Sequence, residues 1–164
     1  MDTSLKTILL FGAIILTGLS AGLFFAWEVS VIPGTKKIGD SSYIETMQSI
    51  NRAILNPVFM LIFIGPIVLQ GLSAYQSRGT QAFWLVLASV IIYALGTFGV
   101  TGLGNVPLND MLDAVNMNNL NNGELATTRS DYEGPWNKLN KIRTFFAVLS
   151  FLLLQVAVFI PIKQ

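Results

Sequence analysis

The sequence contains no cysteine and no histidine. Without cysteine there is no disulfide framework, no thiolate metal site and none of the dithiol chemistry of four-helix quinone-linked oxidoreductases. With histidine missing as well, zinc and copper sites of the usual kinds and haem ligated by either residue are not expected. Carboxylate-bound Mg²⁺ or Ca²⁺ stays open. The expectation is therefore a protein with no resident metal and no cofactor. Charge is scarce too: 12% of the 164 residues are charged, against about 25% in an ordinary soluble domain. The formal net charge of +1 gives no reason to expect a nucleic-acid partner.

What the chain has instead is apolar length. Residues 7–27, 53–77, 79–109 and 144–162 carry no charge, in runs of 21, 25, 31 and 19 residues. A helix needs about 20 predominantly apolar residues to cross hydrocarbon, and in lipid every backbone amide must bond within the chain. The expected fold is an all-α integral membrane protein, a four-transmembrane-helix antiparallel bundle with short amphipathic helices in the longer connections. It forms a single membrane domain over residues 1–164, with spans near 7–27, 54–75, 81–102 and 143–162. The first run is longer than a signal-peptide core and reads as an uncleaved anchor.

Between the runs, local signals set the connections. Gly18 and Gly22 form a small-xxx-small pair, expected to lie against another helix. Ser42 and Glu45 read as a capping box for a helix leading into the second span, and a lead-in helix to the fourth is expected from Pro135. The third span ends among Gly96, Gly99, Gly102 and Gly104, where a neighbour could approach closely. Four spans put both termini and the turn at residues 76–80 on one side and both longer connections on the other. Trp84 and Tyr75 mark the short side, and Trp27, Tyr43, Tyr132 and Trp136 the long side, as interfacial aromatics do. Lys6, Arg78 and Lys163 flank the short side, against Lys36, Lys37, Arg52, Arg129, Lys138, Lys141 and Arg143 on the long side. Basic excess on a membrane side favours the cytoplasm.

Polar residues of similar chemistry collect at that long side from every span. Glu28 closes the first; Asn51, Arg52 and Asn56 open the second; Asn105, Asn109 and Asp110 follow the third; Trp136, Asn137, Asn140 and Arg143 open the fourth. Amides and guanidiniums at the edge of hydrocarbon are costly unless they pair or meet a polar ligand. Capping, loop bridging and snorkelling explain them structurally. A binding site at one mouth of the bundle explains them functionally.

At these residues the chain resembles a known family. The stretches NRAILNP (51–57), GNVPLND (104–110) and EGPWNKLNKIR (133–143), in that order between four spans and with GLSAGLFFAW (18–27) in the first, are similar to the bacterial branch of the membrane family that includes the fungal anthrone oxygenases. The resemblance implies a four-helix membrane fold, residence in a bacterial cytoplasmic membrane, and oxidation of a polycyclic phenolic substrate by O₂ without a bound metal. The chemistry asks for a base, donors for an oxyanion and an apolar pocket. Glu28 and Asp110 are the candidate bases. Arg52 and Arg143 complete the catalytic set, and Asn51, Asn56, Asn105, Asn109, Trp136, Asn137 and Asn140 are the candidate substrate-binding residues. A non-catalytic binding or accessory protein for a lipid, a quinone or a partner complex stays open beside the oxygenase-like enzyme. A transporter is weaker, because no acidic residue lies deep in a span. Membrane lipid is the expected partner, with a small apolar ligand and a homo-oligomer both open.

Overall fold

The computed structural model describes residues 3–160, whose regular elements are all helices, with no strand among them. Helix α1 (Thr3–Ala26) runs through a π-helical stretch at Trp27–Val31 into a last turn at Ile32–Thr35. Helix α2 (Asp40–Ala53) lies in the first long connection, and α3 (Pro57–Gln76) follows. Helix α4 (Ala82–Ile92) continues through π-helical stretches at Tyr93–Gly99 and Thr101–Asn105 into α5 (Val106–Asp113). After a short 3₁₀ turn at Met117–Asn119, α6 (Asn122–Val158) closes the chain. Four helices, Leu5–Thr35, Pro57–Gln76, Ala82–Asp113 and Asn122–Val158, are long and apolar enough to cross a membrane. They suit a multi-pass membrane protein.

Cross-helix contacts fix the antiparallel order. Along α1 and α3, Thr17 meets Gln70 and Phe24 meets Phe63, so one index rises as the other falls. Ser89 meets Ser150 and Thr97 meets the Arg143 carbonyl in the same sense between the third and fourth helices. At the centre, one buried side chain from each helix joins a closed network. Gln70 donates to Thr17 Oγ1 at 2.8 Å, Ser89 donates to Gln70 Oε1 at 3.0 Å, and the Ser89 and Ser150 hydroxyls are 2.8 Å apart. Such bonds between helices in lipid contribute about 0.6 kcal/mol each on average, so their value lies in register as much as in stability.

The sequence signals at the helix ends were partly misleading. Helix α2 starts at Asp40, with Gly39 at its N-cap and no side-chain cap bond, so Ser42 and Glu45 form no capping box there. The capping box sits at Asn121 and Glu124, and α6 runs unbroken past Pro135 rather than starting at it. Of the glycine pair, a Cβ on Gly18 would lie 2.9 Å from the Phe151 ring, whereas one on Gly22 would meet nothing. Gly18 therefore packs on α6 and Gly22 does not. Gly96 makes the closest approach, since a Cβ there would run into the Phe146 side chain. Gly96→Leu is accordingly expected to destabilise the fold by overpacking, about 1–3 kcal/mol, while Gly22→Leu is neutral. Thermal melts of the two variants would test this, and equal midpoints would contradict it.

On the long side a second core roofs the bundle. Tyr43, Ile44 and Met47 of α2, Leu112 of α5, and Tyr132 and Trp136 of α6 pack with Trp27. Gln48 holds α2 to α5 by donating to the Leu112 and Val115 carbonyls. Arg129 ties the first connection to α6, bonding Asp40, Glu133 and the Ile38 and Thr35 carbonyls. Its guanidinium also stacks 4.4 Å over the Tyr43 ring. Burial pushes the Tyr43 phenol well above the usual tyrosine range, so that ring stays neutral.

Candidate functional site

Between the bundle and its roof lies a cavity of about 150 Å³ to which all four membrane helices contribute. Phe24 and Trp27 come from the first helix, Asn51, Arg52, Leu55 and Phe59 from the end of α2 and the start of α3, Thr101, Val106, Asn109, Asp110 and Asp113 from the third helix, and Trp136 and Arg143 from α6. Two of the apolar helices, the first and the third, are wound as π-helices on the side where they meet it. Glu28 lies in the Trp27–Val31 stretch, and Thr101 and Asn105 in Thr101–Asn105. An extra residue in a turn rotates every side chain beyond it, which is why such stretches recur at functional sites.

Arg143 is the centre of the arrangement. It is 6% exposed, and its guanidinium carbon lies 4.4 Å from the Phe24 ring centroid and 4.9 Å from that of Trp136. Its Nε donates to Asn140 Oδ1 at 3.0 Å, and Asn140 Nδ2 donates in turn to Glu28 Oε1 at 2.6 Å. The geometry fixes the amide's orientation. A guanidinium nitrogen only donates, so the Asn140 atom facing it is oxygen, the other is nitrogen, and Glu28 accepts from it. Asn140 thus stands between cation and anion and keeps them from forming a direct ion pair. The two terminal nitrogens of Arg143 have no hydrogen-bond acceptor among the described residues.

Beside it, Asn109 Oδ1 accepts from Trp136 Nε1 at 2.8 Å and from Tyr132 Oη at 3.0 Å, and Tyr132 Oη accepts from Asn51 Nδ2 at 3.1 Å. With its oxygen doubly occupied, Asn109 keeps its amide NH₂ for whatever enters the cavity. At the rim, Arg52 Nε pairs with Asp113 Oδ1 at 2.6 Å, both side chains being largely exposed. Asp110, on the same short helix, lines the cavity with no hydrogen bond or ion pair among the described residues.

The residues singled out in the sequence therefore separate into three groups. Asn51, Arg52, Asn109, Asp110, Trp136 and Arg143 line one cavity. Glu28, Asn105 and Asn140 stand behind it: Glu28 and Asn140 act through Arg143, and Asn105 donates to the Trp136 carbonyl at 3.3 Å. Asn56 is the N-cap of α3, accepting from the Phe59 amide, and Asn137 is half-buried with no side-chain hydrogen bond among the described residues. Sequence reasoning missed Asp113 as the partner of Arg52 and Tyr132 as the hub of the amide network. Asp113 is one turn beyond Asp110, and Tyr132 precedes Trp136, Asn140 and Arg143 on one helical face at spacings of 4, 4 and 3.

A protein-family model described as anthrone oxygenase matches residues 56–153, more than half of the chain. The matched segment holds Asn105, Asn109, Asp110, Trp136, Asn140 and Arg143, and stops short of Glu28, Asn51 and Arg52. No curated protein and no solved structure matches the chain.

Proposed function

The chain belongs to the anthrone oxygenase family, and from its cavity we propose that it is a cofactor-independent membrane enzyme that oxidises an enolisable aromatic compound with O₂. The observation that carries this reading is Arg143, a buried cation that lines the cavity with two guanidinium nitrogens unused by the described residues. A cation held without a carboxylate in contact, at low dielectric, favours an anion arriving with the substrate. Phenolate or enolate oxygen is such an anion. Arg143 and the Asn109 amide donate to it, and Asp110 takes the proton from carbon. The resulting carbanion reacts with O₂ to give a hydroperoxide, and loss of water leaves a ketone, so one CH₂ and one O₂ become one C=O and one H₂O. Phe24, Trp27 and Phe59 supply the apolar walls.

Within this proposal the protein is a multi-pass resident of a bacterial cytoplasmic membrane, with its long connections on the cytoplasmic side. The basic excess there supports that orientation, and the resemblance to bacterial members supports that membrane. The test is O₂ uptake by purified protein supplied with an anthrone, measured against the spontaneous autoxidation rate. Ketone is expected to form one-for-one with O₂ consumed and well above background. A rate equal to background across several anthrones would leave the non-catalytic binding role in its place.

A further inference from the structure

The cavity's rim is made of two unlike arcs. One is polar: Arg52 and Asp113, clamped together, with Asp110 beside them. The other is apolar and comes from Leu55 and Val106, which line the cavity while being 68% and 42% exposed. A residue that both lines a cavity and stands mostly in the open lies at its mouth. Val58 and Leu103, each three residues along the chain from one of these two, are exposed apolar side chains as well. These residues border or belong to helices apolar enough to cross a membrane. Leu55 directly precedes the Asn56–Pro57 start of α3, and Leu103 lies within the third apolar helix. One lip is thus suited to hydrocarbon and the other to water.

Size narrows what passes between the lips. A cavity of about 150 Å³ accepts one benzene-sized ring, and its inner end presents the donors of Arg143 and Asn109. Anything larger than one ring must leave its remainder at the mouth, where an apolar remainder is matched by Leu55 and Val106.

From these two observations we infer that the site is loaded sideways from the bilayer, over the apolar arc of Leu55 and Val106. Its ligand is an amphiphile, with one phenol- or enol-bearing ring in the cavity and an apolar remainder left among the acyl chains. This rests on the Arg143-centred reading above and adds the ligand's route and shape to it. The polar arc keeps a path to water, so a proton taken up by Asp110 can leave while the ligand's tail stays in lipid.

The test uses the whole protein in phosphatidylcholine nanodiscs, in a Trp84→Phe background. Trp84 is exposed at the far end, so the remaining tryptophans, Trp27 and Trp136, both report on the cavity. Heavy-atom quenching is titrated with 4-bromophenol and with 2-bromo-4-dodecylphenol, each displaced by its bromine-free analogue. Comparing one probe across variants cancels its partitioning into lipid. Leu55→Arg is expected to lower the ratio of tailed to tailless affinity at least tenfold. Val106→Arg, on the same apolar arc but from the third helix, should repeat this and serves if the first variant fails to fold. An unchanged ratio in folded variants would overturn sideways loading and leave the ring site standing. Saturable quenching by neither probe would remove the ring site itself, and the proposed function with it.

Discussion

Arg143→Gln is expected to lower kcat for O₂-dependent turnover by about 10²–10³-fold, the usual consequence of removing a preorganised donor from a developing oxyanion. Stability should change far less. The variant loses stacking on Phe24 and Trp136, which contributes about 0.5–2 kcal/mol, but it also removes a charge that is costly to bury. The same change can therefore leave the melting temperature nearly where it was while abolishing turnover. Had Arg143 been one half of a buried ion pair, the order would be reversed, because its removal would strand a carboxylate. Asn140 makes the difference. It accepts from Arg143 and donates to Glu28, so Glu28 keeps its hydrogen bond when the guanidinium goes. Melting temperature measured alongside steady-state kinetics decides the matter: a large fall in the midpoint with kcat intact would make Arg143 a structural residue.

The bundle was legible in the sequence because membrane helices obey one dominant constraint. Four charge-free runs near or above the spanning length leave little choice about fold, and each run lies largely within one of the four apolar helices. Helix ends were less legible, since competing signals lie close together. Ser42 and Glu45 have capping-box spacing, yet Gly39 supplies the start of α2. Pro135 reads as a helix start, but it is exposed on α6, where an unsatisfied carbonyl one turn back can find water.

Which polar residues share the site was legible to the level of membrane side and no further. Trp136, Asn140 and Arg143 share a face of α6, but only the packing of the first helix against it separates the lining pair from the amide behind them. The three π-helical stretches are the physical reason. Two of them shift the face a helix presents where Glu28, Thr101 and Asn105 occur, and the third precedes Thr101 and Asn105 on the same helix, so the regular 3.6-residue period used to read a sequence loses phase there. The buried Gln70 network escaped notice for a related reason: Thr17, Ser89 and Ser150 are ordinary residues of apolar helices until a glutamine from another helix meets them.

Asp110 and Glu28 are both long-side carboxylates, and the cavity assigns them unlike expectations. Glu28 is committed to Asn140 and does not line the cavity, whereas Asp110 lines it and bonds nothing among the described residues. Asp113 explains why Asp110 stays uncommitted, for it sits one turn further along the same helix and holds Arg52, the exposed cation that lines the rim. A general base must reach the substrate's proton directly or through one water, which favours the uncommitted carboxylate. Asp110→Asn is therefore expected to cut kcat by about 10²–10⁴-fold while ring-probe affinity at Arg143 is retained. In Glu28→Gln, Asn140 loses a carboxyl acceptor and Arg143 a nearby acidic partner, so the main effect should be a lower melting temperature and weaker ring binding, with kcat reduced less than in Asp110→Asn. Kinetics, ring-probe titration and melts of the two variants side by side separate the roles. If Glu28→Gln abolishes turnover while Asp110→Asn turns over at the wild-type rate, the base is Glu28, and the cavity must open toward it during the reaction.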